Sequence, residues 1–94
     1  MFEVELRGNN EIKLTGRFDA SQVEKAKKVF DCVTKSCGVD FANLEYISSA
    51  GLSVLLVTQK RLSKSESSLK LTNMNKHIRD VFRYAGFDTV FEIA

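Results

Sequence analysis

The sequence predicts an α/β fold: a largely parallel sheet with helices laid against it and one antiparallel edge. Three observations carry this reading. Two opening segments alternate apolar and polar residues at period two, with turn chemistry between them. Stretches of helical period then alternate with short apolar runs. The chain has no proline, so polar clusters and glycines do the punctuation. The resulting order is ββαβαβαβ.

In "FEVELR", residues 2–7, apolar Phe2, Val4 and Leu6 alternate with charged Glu3, Glu5 and Arg7, as in a half-buried strand. "GNN", 8–10, is a turn, so "EIKLTG", 11–16, pairs back as a hairpin with Ile12 and Leu14 inward. Asp19 precedes a helix over about 20–36, where Val23, Ala26, Phe30 and Val33 share a face and Lys25, Lys27 and Lys28 fall mainly on the wet side. "CGVDFAN", 37–43, is a short strand. A helix over 50–63 sets Leu52, Leu55, Leu56, Gln59 and Leu62 along one face, and its first half is apolar nearly all round, as in a buried helix. After the polar turn "SKSESS", 63–68, "LKLTN" at 69–73 is a strand. Residues 75–85 form a helix with Ile78, Val81, Phe82 and Ala85 inward and Gly86 as its stop. "TVFEI", 89–93, is the closing strand. The expected core includes Phe30, Val33, Phe41, Leu52, Leu55, Leu56, Val81 and Phe82.

A length of 94 residues suits one small domain spanning 1–94. With 44% apolar and 28% charged residues the chain has an ordinary globular balance. A net charge of +2 with interspersed signs is too weak to point to nucleic acid or an anionic membrane. No apolar run approaches the ~20 residues of a membrane span. "MFEVELRG" carries acids and alternates, unlike a signal peptide, so the expected compartment is the cytoplasm. Cys32 and Cys37 have four residues between them, which is not the C-x-x-C spacing, and a single histidine offers little help in binding metal. They read as free thiols packing as small hydrophobes, with a regulatory disulfide as the remote alternative.

The stretch that asks for chemistry is "EYISSAGLSVLL", residues 45–56. Ser48 and Ser49 stand where a strand-like segment turns into a helix. A serine there can cap the helix, act as a nucleophile or carry a phosphate, which the positive end of a helix favours. A cap accounts for one serine, but not for two or for Gly51 in the first turn. "SSAG" is not the G-x-S-x-G elbow, and His77 in "NKHIRD" falls on the polar side of a helix start, so no catalytic set emerges. Asp19 reads as a helix cap. Asp40, between Val39 and Phe41, needs hydrogen-bond partners; on a parallel strand 37–42 it lies near the edge that carries the two serines. The groups Lys60, Arg61, Lys64 and Lys76, Arg79, Arg83 read as solvated helix faces.

"LTGRFD", "VDFANLEYISSAGLSVLL" and "LTNMNKHIRDVFRYAGFDTVFEI" resemble, in order and spacing, the STAS domain family, and within it the bacterial anti-sigma factor antagonists. The resemblance runs from about residue 11 to the C-terminus. It implies a mixed four- to five-stranded sheet packed against about three to four helices, and a cycle called partner switching. The unphosphorylated antagonist binds a serine-kinase anti-sigma factor and so releases that factor's target. The kinase, which brings ATP and Mg²⁺, phosphorylates the antagonist on the serine two residues before the motif glycine, here Ser49. A PP2C-type phosphatase reverses this. The chain itself would be neither enzyme nor cofactor binder. Asp19 matches the acid of the "L-x-G-x-x-D" motif, and Asp40 the acid or amide ending the central strand. Ser48, Ala50 and Gly51 complete the acceptor loop and its partner contact. Ser48 stands where many members carry Asp, which makes it a rival acceptor. The short approach "KSCGVDF" implies a central strand of only four or five residues. A second implied role is a STAS subunit of a membrane transporter assembly, docking on its ATPase without phosphorylation.

Overall fold

The computed structural model describes residues 1–8 and 10–94. β1 (Phe2–Arg7) and β2 (Glu11–Phe18) form the antiparallel hairpin, with Phe2 opposite Gly16 and Arg7 opposite Glu11. Asn9, in the turn expected between them, lies outside the described residues. There follow a 3-10 turn (Ala20–Gln22), α1 (Val23–Phe30), β3 (Cys37–Ile47), α2 (Ser49–Ser63), β4 (Leu69–Thr72), α3 (Lys76–Tyr84) and β5 (Glu92–Ile93). The strands lie in the order β1-β2-β3-β4-β5, and every pair after the hairpin is parallel.

This topology fixes where the core lies. Three successive crossovers step the same way across the sheet, so their common right hand puts α1, α2 and α3 on one face. Burial agrees. Ile12, Val39 and Leu71 stand side by side on three strands and are wholly buried. Their neighbours Lys13, Asp40 and Thr72 line up on the opposite, partly exposed face. The core is a single layer between sheet and helices. Phe82 of α3 meets Phe41 and Phe91 edge-on there, at 5.8 Å and 5.6 Å.

Several boundaries differ from the sequence reading. The first helix is α-helical only over Val23–Phe30. Its end tightens into bonds from Cys32 N–H to the Val29 carbonyl and from Val33 N–H to the Phe30 carbonyl. Arg61 of α2 then takes the Phe30 and Val33 carbonyls, at 2.9 Å and 2.6 Å, satisfying acceptors that a longer helix would need. Arg61 is therefore a clasp between helices as well as an exposed charge. β3 has 11 residues instead of four or five, because two register shifts against β2 let it run on past Ala42. β5 has only two residues, since residues 88–90 form a turn closed by Val90 N–H on the Phe87 carbonyl. Leu56 and Val81 are half-buried at the margin of the core, and Ala85, the C-cap of α3, is exposed. Gly86 does stop α3: at φ 77° its N–H bonds Arg83, and the Phe87 N–H bonds Phe82.

Candidate functional site

Phe18 ends β2 and pairs with Ile47, which ends β3, so the two following loops leave the sheet side by side. Ser48 laces them together. Its backbone N–H and its hydroxyl both donate to the Phe18 carbonyl, at 2.9 Å and 3.1 Å. Its Oγ also accepts the Gly51 N–H at 3.1 Å, with Ser48 extended at φ −86°, ψ 168°. Ser48 is thus the N-cap of α2, and its hydroxyl is engaged both as donor and as acceptor.

Ser49 is the first helical residue and is exposed. Its carbonyl accepts the Ser53 hydroxyl at 3.1 Å, while its own hydroxyl is not used by the cap. A group on this oxygen would stand at the positive end of a 15-residue helix.

Asp19 follows Phe18 directly. It caps the 3-10 turn, accepting the Ser21 N–H at 3.0 Å and the Ser21 hydroxyl. The Ser21 hydroxyl holds the Asp19 carboxyl below its ordinary pKa; partial burial opposes this, and the Ser21 N–H, Arg17 and the chain's amino terminus reinforce it. The structure therefore brings Asp19, Ser48 and Ser49 to one edge. Ala50 is half-buried and turns into a groove of about 380 Å³ between α1 and α2.

Gly51 faces inward. A Cβ there would lie 3.0 Å from Phe18 Cγ and 3.0 Å from Ile47 Cγ1. Its lack of a side chain lets the helix start close onto the ends of β2 and β3. Phe18 cannot retreat, because it is wholly buried and stacked on Phe2 with ring centroids 4.8 Å apart. Gly51→Ala gains helix propensity of at most ~1 kcal/mol, but overpacking costs ~1–3 kcal/mol. The variant should lose about 1 kcal/mol, up to ~2, in denaturant unfolding, and a stabilised variant would show that the contact relaxes.

Asp40 is not part of this edge. Six residues of strand separate it from Ile47, a span of about 23 Å at ~3.3 Å per residue. Its carboxylate instead accepts the Asn73 amide at 3.0 Å and the Ala42 N–H at 2.9 Å, fastening the loop that leads from β4 into α3. The sequence reading placed it beneath the serines because it ended β3 too early. Burial raises the Asp40 pKa, but the bonds from Ala42 and Asn73 and the charges of Lys13 and Arg7 outweigh it, and the net shift is downward. A lowered folded pKa adds stability above the unfolded value, lost as pH falls through the folded one. Asp40→Ala should cost ~1 kcal/mol at neutral pH. That cost should fall away only in acid well below the ordinary carboxylate value of about 4, as pH passes through the lowered folded pKa. Urea unfolding at both pH values checks this, and an equal cost at both would remove the ionised carboxylate from the account.

Sequence reasoning missed the Phe18 carbonyl, which holds both donors of Ser48, and Arg61. No local signal marks either one, because both contacts join residues about thirty positions apart. No helix among the described residues is long and apolar enough to cross a membrane.

BtrV of Bordetella bronchiseptica, named as an anti-sigma factor antagonist, is 36% identical over 75 residues, covering 80% of this chain and 59% of BtrV. The chain thus spans about three fifths of that relative's length. The fold matches the Bacillus protein SpoIIAA in its unphosphorylated form with a TM-score of 0.76 at 22% identity, over 100% of this chain and 88% of that one. It matches an anti-sigma factor antagonist from Mycobacterium paratuberculosis with a TM-score of 0.82 at 19% identity, over 99% of this chain and 83% of that one. The family described as "Mlab, STAS domain" matches residues 2–93. With that match and the shared five-stranded architecture, the chain belongs to the STAS domain family.

Proposed function

We propose that this chain is an anti-sigma factor antagonist that works by partner switching in the cytoplasm, with Ser49 as its phosphoacceptor. The observation that carries the reading is the division of labour between the two serines. The Ser48 hydroxyl is engaged twice in holding the loop, while Ser49 is exposed one residue into the helix. A kinase active site reaches Ser49 without dismantling the cap. In its unmodified form the chain binds a serine-kinase anti-sigma factor, which releases its target. The kinase transfers phosphate from ATP, with Mg²⁺, to Ser49, and a PP2C-type phosphatase removes it. The domain is a substrate and a binding partner, not a catalyst, and Asp19, Ser48 and Ala50 frame the contact from residues 1–94 acting as one unit. The relative named as an antagonist and the fold shared with SpoIIAA, solved in both unphosphorylated and phosphorylated forms, support this reading.

Incubation with its cognate serine kinase, ATP and Mg²⁺, followed by phosphosite mapping, tests the reading. Phosphate should appear on Ser49 in the wild type and in Ser48→Ala, and should be absent from Ser49→Ala. Ser48→Ala should lose ~1 kcal/mol of stability with its cap. Phosphate on Ser48 alone would move the acceptor by one residue. Membership of the STAS family leaves a second reading, a transporter STAS subunit that docks on an ATPase without phosphorylation. Tight binding to such an ATPase with no phosphate accepted would select it.

A further inference from the structure

We propose that Cys32 and Cys37 form a reversible dithiol–disulfide site. They flank the connection from α1 to β3, and both line one cavity of about 70 Å³, together with Leu6, Asn10 and Lys35. Both thiols are free and border the same small cavity, a nearness that their five-position separation in sequence does not by itself give.

The two sulfurs differ in a way that assigns their roles. Cys32 is exposed, and its thiol makes one weak bond, to the Lys28 carbonyl at 3.3 Å. Cys37 is buried at the first position of β3, with its Sγ 3.3 Å from the Gly38 carbonyl. Burial and the nearby Glu11 raise the Cys37 pKa, against a smaller lowering by the Ile12 N–H, so Cys37 rests as a thiol. Cys32 is therefore the attacking group and Cys37 the resolving one. Thr34, Lys35 and Ser36 between them are exposed and belong to no helix or strand, while Val33 is buried with its carbonyl held by Arg61, so closure turns Cys32 and the 34–36 segment about a fixed Val33.

The oxidant is a low-molecular-weight disulfide such as oxidised glutathione. The Cys32 thiolate attacks one of its sulfurs, the S–S bond breaks, and one glutathione thiolate leaves and takes up a proton. Cys37 then gives its proton to solvent and attacks Cys32 Sγ in the mixed disulfide, expelling the second glutathione. One disulfide is reduced to two thiols, and the protein loses two hydrogens. The product closes a ring over residues 32–37 and staples the end of α1 to the start of β3. This is the opposite end of β3 from Ser48 and Ser49, so the inference does not depend on the switching function.

The full chain, treated with oxidised glutathione and examined by intact mass and peptide mapping, should be two hydrogens lighter with Cys32 linked to Cys37. Dithiothreitol should restore it. Cys37→Ser should instead accumulate glutathione on Cys32, and Cys32→Ser should react about ten-fold more slowly. A wild-type chain that keeps one glutathione on Cys32 with Cys37 reduced would overturn the proposal. So would unreacted thiols, or disulfides only between chains.

Discussion

Phosphorylated on Ser49, the chain should bind its kinase about 30- to 3,000-fold more weakly than the unmodified form. Phosphate adds roughly −1.5 to −2 charges and three acceptor oxygens at an exposed helix start. The helix itself tolerates them, because its first N–H groups and its dipole favour negative charge, so the melting temperature should barely move. A closely fitted partner surface does not. An unmatched charge at a buried contact costs ~2–5 kcal/mol, expressed mainly as faster dissociation. Ser49→Asp should bind weakly for the same reason, and Ser49→Ala should bind constitutively and accept no phosphate. Calorimetric titration of the kinase with each form decides the matter. Equal affinity for the phosphorylated and unmodified chains would abolish the switch.

Phe82→Ala should cost ~3–5 kcal/mol of folding stability. The ring is wholly buried and sits edge-on to both Phe41 of β3 and Phe91, with interplanar angles of 80° and 77°. Phe91 in turn stands just before the two-residue strand β5. Truncation leaves a cavity under α3 and removes what holds the closing segment to the sheet. A domain of this size has only ~5–15 kcal/mol in total, so the variant should be partly unfolded at modest denaturant. A loss below about 1 kcal/mol would mean that the aromatic cluster can collapse around the gap.

The parts of the fold that were legible in the sequence are those where local period and packing agree. Ile12 and Leu14 alternate and are wholly buried; Phe30, Leu55 and Phe82 fall on helical stripes and are too. β3 hid its length because its two register shifts break the alternation at Ala42–Asn43 and Glu45–Tyr46, and such shifts are visible only against β2. Asp40 was misplaced as a consequence. The glycine of "LTGRF" illustrates the same limit. Gly16 has φ 87°, and a Cβ there would fall 1.8 Å from the Met1 carbonyl oxygen, which accepts the Arg17 N–H at 3.1 Å. Its necessity comes from the chain's first residue crossing behind it, which no local pattern records. At the candidate site, capping chemistry called for one serine. Extended backbone at Ser48 and the nearby Phe18 carbonyl decided which of the two it was.

The strand order β1-β2-β3-β4-β5 is also the order of synthesis. Each strand pairs with the one made just before it, so among the described strands none has to be threaded between two partners that have already met. The hairpin can form first from neighbouring residues, and every later helix–strand unit then adds to an open edge, closing a loop of one short helix and its connections. Loop closure of this length carries a small entropic cost, and contacts that are close in sequence favour rapid folding. The sheet can therefore grow outward from its antiparallel end by accretion. The two-residue β5 is the last piece laid down and, by the same logic, the first to come away.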